Sequence, residues 1–155
     1  MIAAPPRGLP QGGCMSCLLV PVDGSDNALR ALRYVIDHKP MFEPLTLHLL
    51  NVQIPITSAS VRRFIDSATI HKYHQEEGEA ALANAKALLD GSGIPYTAHI
   101  QAGSSAETIV ATADENHCDH IVMGTRGLGS AAGMWLGSVT TKTLHLAKVP
   151  VTVVK

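Results

Sequence analysis

Five short aliphatic runs, separated by segments with helical periodicity, constrain the fold of this chain more than any other feature. The runs are Cys17–Val22, Leu45–Val52, Tyr96–Gln101, His120–Met123 and Val151–Val154. Short apolar runs of this kind are typical of strands that are buried on both faces of a sheet. Their alternation with helices predicts a parallel sheet with right-handed crossovers. We therefore expect an α/β fold in which helices cover both faces of five parallel strands.

Helix signals lie between the first three runs. Ser25 and Asp26 are typical residues of a helix N-terminus, and Lys39-Pro40 is expected to stop the first helix. A long helix is expected to reach Asp90, with Gly91 as its C-terminal cap. Its predicted inward face consists of Ala81, Leu82, Ala85, Leu88 and Leu89.

The second half of the chain predicts two further helices. Ser104-x-x-Glu107 forms a capping-box sequence at the start of one, whose inward face would be Ile109, Val110 and Ala113. The other is expected from Ser138 to about Ala147. Residues 53–65, in contrast, show no clean period and are expected to form a mobile loop.

Composition and charge exclude several classes of protein. The chain has 155 residues, with 12 Lys and Arg against 13 Asp and Glu, which excludes a globally basic nucleic-acid-binding protein. No apolar stretch approaches the ~20 residues of a transmembrane helix, and Met1–Gln11 has no apolar run of a signal peptide. We expect no membrane partner and a single domain, residues 15–155, after a disordered or extended Pro- and Gly-rich tail, residues 1–14.

The three cysteines are too few, and odd in number, for a disulfide framework. That usage is typical of a reducing compartment, so we expect a cytoplasmic location. Cys14 and Cys17 form a C-x-x-C, and His117, Cys118 and His120 follow later, so one interpretation is a zinc or redox site. We favour the other, in which Cys17 is a core cysteine of the first strand and Cys14 is a cysteine of the tail.

Two histidine pairs also raise the question of a metal. His71 and His74 are three residues apart and would share one face of a helix, but no third ligand follows at helical spacing. We therefore expect this pair to be exposed. His48 and His99 alternate with apolar neighbours inside strands and are expected to be hydrogen-bonded histidines on a sheet face.

A glycine-rich segment after the fourth run is the strongest functional signal. It reads Gly124-Thr125-Arg126-Gly127, then nine residues, then Gly137-Ser138. Glycines at a strand exit allow a ligand to approach the backbone, and a helix that begins at Gly137-Ser138 presents N–H groups and a hydroxyl to a phosphate. No acidic residue follows Asp119, while one arginine and three lysines do, which favours an anion. The alternative is a turn that only packs a helix against a strand.

This glycine pattern and several strand sequences together resemble the universal stress protein family. The pattern is G-x2-G-x9-G-[ST], and the matching stretches are Val20–Ser25, Leu50–Val52, Ile121–Gly127 and Val149–Val154. The similarity covers the chain from about Met15 to Lys155 and is strongest to the ATP-binding branch. It implies a Rossmann-like sheet of strand order 3-2-1-4-5, with a nucleotide pocket between strands one and four, where a parallel sheet of this kind binds its ligands.

The resemblance also implies which residues hold ATP. The residues implied for the adenine and ribose are Pro21, Asp23 and Val52, the last through its main chain. The residues implied to flank the nucleoside are Met123 and Gly124. The residues implied for the phosphates, together with a bridging Mg²⁺ or Mn²⁺, are Gly127, Gly137, Ser138 and Val139.

Three residues near this pocket have more than one interpretation. Asp23 could bind a ribose, bind a metal through water or cap the following helix, and we favour a ligand role. Trp135 is expected to cover the loop rather than to contact a ligand. Lys142 is expected to be exposed rather than to reach a phosphate.

The function implied by the resemblance is a nucleotide-dependent switch in a stress response, with a protein partner of unknown identity. The family also implies a homodimer through the edge strand Val151–Val154. We expect ATP hydrolysis to be slow at most, because no catalytic base, arginine finger or P-loop lysine can be assigned. The alternative is a dimeric interaction module that binds no nucleotide, since Ser130–Gly133 lacks the basic residues common in relatives.

Overall fold

Five parallel strands form one sheet in the structure, a computed structural model that describes residues 16–128 and 135–155. The strands are β1 (Ser16–Pro21), β2 (Leu45–Gln53), β3 (Tyr96–Ala102), β4 (His120–Gly124) and β5 (Val151–Val154). Their order across the sheet is β3-β2-β1-β4-β5, and all neighbours are parallel. The predicted α/β fold and strand order are confirmed. The predicted tail, residues 1–14, and Ser130–Gly133 lie outside the described residues.

Helices connect these strands. Those in the described ranges are α1 (Asp26–Asp37), α2 (Lys39–Phe42), α3 (Ala59–Phe64), α4 (Ser67–Ser92), α5 (Ser105–Glu115) and α6 (Ser138–Leu146). None of them is long and apolar enough to cross a membrane.

The helix ends differ from the prediction at two glycines and a proline. α1 ends before Lys39-Pro40, but Pro40 then occupies the first turn of α2, where its missing N–H has no acceptor to lose. α4 continues through Gly91, so the predicted cap is wrong. The cap is Gly93, whose φ of +67° is a left-handed conformation that glycine adopts without strain, and its N–H donates to Leu89 O. The predicted loop, residues 53–65, contains α3.

The strands bury side chains on both faces, in two layers. One layer lies against α1 and α4 and includes Leu18, Val20, Leu47, Leu49, Leu32, Val35, Leu82 and Leu89. The other lies against α5 and includes Leu19, Leu50, Ile109, Ala113, Cys118, Ile121 and Met123. Within the predicted inward faces, Ala81, Leu88 and Val110 are only half-buried. The two layers hold the sheet, and therefore the ends of its strands, in one arrangement.

The strand order creates a crevice at the carboxyl ends of β1 and β4. These strands are neighbours, but the chain leaves β1 towards β2 and leaves β4 towards β5. Crossovers that depart in opposite directions leave room for a ligand between them. Two hydrogen bonds fasten the end of β1 to β2: Val22 N donates to Leu50 O, and Asn51 Nδ2 donates to Val22 O, each at 2.8 Å.

Candidate functional site

A cleft of about 1180 Å³ opens at this crevice. All nine residues that the family resemblance implied for the nucleotide line it: Pro21, Asp23, Val52, Met123, Gly124, Gly127, Gly137, Ser138 and Val139. They come together because the carboxyl ends of β1, β2 and β4 meet at one edge of the sheet, and α6 begins beside them. The structure therefore places the whole predicted set around a single cavity.

Two further segments, in which the sequence predicted no site residue, also line the cleft. After β2, the chain contributes Ile54, Ile56 and Ile65, and α4 contributes Thr69, Ile70, Tyr73, Glu77, Ala80 and Ala81. Tyr73, Glu77 and Ala80 are three or four residues apart, so they lie on one face of α4, and this spacing could have indicated a cleft-facing surface. The sequence analysis missed that surface because it assigned α4 only the other face, which packs into the core.

Asp23 joins the two strand ends. Its Oδ1 accepts a hydrogen bond from Ser25 N at 3.0 Å, and its Oδ2 accepts one from Leu128 N at 2.9 Å. Asp23 does not cap α1, because Ser25 is the N-cap and its Oγ accepts from Ala28 N. The carboxylate therefore lines the cleft while it holds the chain after β4 against the chain after β1.

The glycines after β4 are explained by contacts within the protein. A Cβ at Gly124 would lie 2.8 Å from the main-chain carbonyl of Asn27 in α1, and a Cβ at Gly127 would overlap Asp23 Oδ2. Gly137 is less restricted, since its Cβ would lie 3.3 Å from Arg126 Cα. Gly124 is thus required for packing against the backbone of α1, which is the interpretation that the sequence left open, while Gly127 leaves room for the Asp23 carboxylate.

The N-terminus of α6 faces the cleft. Gly137 is its N-cap and has no side-chain hydrogen bond to offer, and the first N–H that finds an acceptor within the helix is that of Thr141. Thr140 Oγ1 donates to Gly124 O at 3.0 Å and fixes the helix start to the end of β4. Ser138, Val139 and Thr140 therefore present N–H groups without an intrahelical acceptor, at the positive end of the helix dipole.

Arg126 is the one lysine or arginine among the described residues that line this cleft. It is half-buried, and its Nε atom is buried without a hydrogen-bond partner among the described residues. Lys142, in contrast, forms an ion pair with Glu107, and Lys148 forms one with Asp114 at 3.0 Å. The absence of acidic residues after Asp119 is therefore misleading for these two lysines, because α5 supplies their carboxylates.

The pair between α5 and α6 perturbs Glu107. Lys142, and then the hydroxyl of Ser104, lower the pKa of the exposed Glu107 carboxyl to about 2. Ser104 is the N-cap of α5, as predicted, but its side chain bonds to Glu107 rather than to a main-chain N–H. Lys142 is exposed, as predicted, and does not line the cleft.

Of three other predictions, two are wrong and one is confirmed. Trp135 is 92% exposed and so does not cover the described part of the loop. His71 is exposed, but His74 is buried, with its Nε2 unpartnered among the described residues, so the prediction of an exposed pair is wrong. His48 and His99 are hydrogen-bonded on a sheet face, as predicted, with 2.8 Å between Nδ1 and Nε2.

The cysteine prediction was incomplete. Cys17 is half-buried in β1, and its sulfur lies 3.1 Å from that of the buried Cys118. The sequence placed Cys118 with His117 and His120, whereas in the structure Cys118 groups with Cys17 and His48. Cys14 lies outside the described residues.

Comparison with family models and curated proteins gives one consistent result. The model described as "Universal stress protein family" matches residues 16–155. Universal stress protein MJ0531 of Methanocaldococcus jannaschii is 30% identical over 140 residues, which cover 89% of this chain and 81% of that protein. A universal stress protein of Thermus aquaticus is 33% identical over 139 residues, which cover 89% and 97% of the two chains.

Solved structures show the same fold. Protein MJ0577 superposes with a TM-score of 0.76 at 29% identity, covering 91% of this chain and 96% of its own. A universal stress protein in complex with cAMP has a TM-score of 0.67 at 23% identity, with coverage of 90% and 97%. A family protein of Arabidopsis thaliana with AMP bound has a TM-score of 0.64 at 19% identity, with coverage of 90% and 91%.

Proposed function

Because this chain belongs to the universal stress protein family, we propose that it binds ATP in the cleft between β1 and β4 and acts as a nucleotide-dependent regulatory switch. The observation that carries the proposal is a pair of features in one cavity: the N-terminus of α6 and the side chain of Arg126, whose Nε has no hydrogen-bond partner within the described part of the chain. Helix N–H groups and a guanidinium are the donors that phosphates prefer. Two family structures contain AMP and cAMP, which supports an adenine nucleotide as the ligand class.

The adenine lies at the opposite, apolar end of the cleft, against Pro21, Val52 and Met123. β1 ends at Pro21, opposite Leu50, and Leu50 O accepts from Val22 N on the β1 side of β2. Main-chain groups two residues apart point to the same side of a strand, so those of Val52 point to where β1 has ended. They are available to hydrogen-bond the edge of a base.

The phosphates lie against Gly127, Gly137, Ser138 and Val139, with Arg126 beside them. Mg²⁺ or Mn²⁺ would bridge phosphate oxygens, and Asp23 would hold the ion through water, since its two oxygens already accept main-chain N–H groups. For the same reason Asp23 is poorly placed to serve as a general base. Hydrolysis is accordingly slow at most.

Regulation depends on two surfaces, one at the mouth of the cleft and one at the edge of the sheet. Ile54 and Leu128 line the cleft and are large apolar side chains that are 79% and 75% exposed, and a partner reads the bound state there. Each residue of β5 is half-buried, and β5 is the edge strand of the sheet, where a second copy pairs to form a homodimer. The protein works in the cytoplasm.

The test is a nucleotide titration by calorimetry of wild type, Arg126→Gln and the control Arg33→Gln, whose arginine is exposed on α1. Loss of one charge-assisted hydrogen bond, about 1.5–3 kcal/mol, should weaken ATP binding by roughly ten- to hundredfold in Arg126→Gln only. Parallel titrations with AMP and cAMP identify the preferred nucleotide. If wild type binds none of the three, and denatured protein releases no nucleotide by mass spectrometry, the interaction-module alternative replaces this proposal.

A further inference from the structure

Two cysteines and a histidine meet away from the cleft. The three residues are Cys17 of β1, His48 of β2 and Cys118, which precedes β4. Each offers one ligand atom, and the three atoms lie within 4.8 Å of one another. Among residues 16–128 and 135–155, this is the one group of three His, Cys, Asp or Glu side chains that approaches so closely. None of the three lines the cleft. We call them the thiol–imidazole cluster.

Main-chain geometry holds the two cysteines together. α5 ends in a Schellman motif in which Cys118 N donates to Ala113 O at 2.8 Å and His117 N donates to Asp114 O at 3.2 Å. His117 has a φ of +54° in this turn, a left-handed conformation that is costly for a residue with a Cβ. The next residue, Asp119, then makes two hydrogen bonds with Cys17 of β1. Asp119 N donates to Cys17 O, and Cys17 N donates to Asp119 Oδ2. The two sulfurs therefore converge without help from a ligand.

The histidine is also oriented. His48 lies on β2, next to β1, and its partner in the strand register is Leu19, which follows Cys17 by two residues on β1. Its Nδ1 lies 2.8 Å from His99 Nε2. When Nδ1 carries the proton and donates it to His99, Nε2 presents a lone pair, as in metal sites whose histidine is held by an outer hydrogen bond.

We propose that the thiol–imidazole cluster binds a thiolate-preferring divalent cation of the zinc class. Two thiolates and one imidazole are ligands that zinc favours, and the fourth tetrahedral position is left to water or another small ligand. Two sulfurs bonded at about 2.3 Å to a tetrahedral ion are about 3.8 Å apart. The observed distance between the two sulfurs, 3.1 Å, is shorter, and a small rotation of either cysteine side chain would widen it to that value. Binding displaces one proton from each thiol.

A disulfide is the competing use of the same cysteines. It would join the two sulfurs, which lie 3.1 Å apart, and would oxidise both cysteines. A disulfide also leaves His48 without a role. The third ligand atom therefore favours the cation.

The test uses the full chain with Cys14→Ser, so that Cys17 and Cys118 are the only thiols. Metal-free, reduced protein is titrated with Co²⁺, followed by displacement with Zn²⁺ against a chromophoric chelator. We expect one equivalent to bind, with a near-ultraviolet thiolate-to-cobalt charge-transfer band and the intense visible bands of a tetrahedral ion. Zinc should also raise the Tm of this protein.

Variants then assign the ligands. Cys17→Ser should weaken the charge-transfer band and reduce Zn²⁺ affinity at least tenfold, and His48→Gln should shift the visible bands and reduce affinity at least tenfold. His71→Gln, an exposed control, should change neither. Cys118→Ser is interpreted only if its circular dichroism is native, because Cys118 is buried.

Three results would overturn the proposal. One is the absence of a charge-transfer band at one equivalent of Co²⁺. Another is an affinity that His48→Gln leaves unchanged, which would show adventitious binding by thiols alone. The third is a mass loss of two hydrogens in protein incubated aerobically with Zn²⁺, which would show that the disulfide forms in preference.

Discussion

Gly124→Ala separates the two explanations of the glycine-rich segment. The added Cβ would lie 2.8 Å from both the carbonyl carbon and the oxygen of Asn27 and 3.0 Å from its Cβ, and the first two atoms belong to the backbone of α1. α1 packs into a filled core and cannot move away cheaply. Overpacking of this kind costs about 1–3 kcal/mol. In a domain of this size each kcal/mol corresponds to roughly 2–4 °C in Tm, so we expect a fall of about 4–8 °C for about 2 kcal/mol.

The matched control is Gly91→Ala. Gly91 lies near the end of α4, where an added Cβ meets nothing within 4 Å, so alanine should raise stability by up to about 1 kcal/mol. The assay is urea unfolding and thermal melting of both variants, with ATP titration of each. If Gly124→Ala keeps wild-type stability and loses only ATP affinity, Gly124 serves ligand approach and the packing argument is refuted.

Two further predictions concern stability alone. His117→Gly should stabilise the chelator-treated protein by about 1 kcal/mol, because glycine adopts the left-handed conformation at this turn without strain; unchanged urea unfolding would contradict this. Glu107→Gln removes a carboxyl whose pKa falls from 4.5 to about 2 on folding, so the carboxylate stabilises wild type above pH 4.5 and progressively less towards pH 2. The stability difference between the two proteins should therefore shrink across that range in urea melts, and a constant difference would argue against the ion pair with Lys142.

Much of the candidate site followed from local sequence. Asp23 comes directly after the first strand and Gly124 ends the fourth, whereas Val52, at the end of the second, was implied by the family resemblance. Since the carboxyl ends of parallel strands share one edge of a sheet, residues at these positions had to meet. The contribution of α4 did not follow in the same way. Tyr73 and Glu77 face the cleft while Leu82 and Leu89 face the core, and a helical period alone does not tell one apolar face from the other.

Charge along the sequence does not tell Arg126 from Lys142. Both follow the last acidic residue of the chain, where the charge favours an anion. Packing of α6 beside α5 brings Glu107 to Lys142 and leaves the Nε of Arg126 without a partner among the described residues. Which cation is neutralised depends on which helix is adjacent, and this is decided by the fold.

The sequence by itself determined the five strands, the four longer helices and the parallel arrangement of the sheet, because hydrophobic period and turn residues act within about ten residues of one another. It did not show the short helices α2 and α3. The tertiary structure alone decided the meeting of Cys17 with Cys118, the tie from Asp23 to Leu128 and the clash that keeps residue 124 a glycine. These contacts join residues about a hundred positions apart. No local preference encodes them, because they exist only once the two buried layers have packed against the sheet.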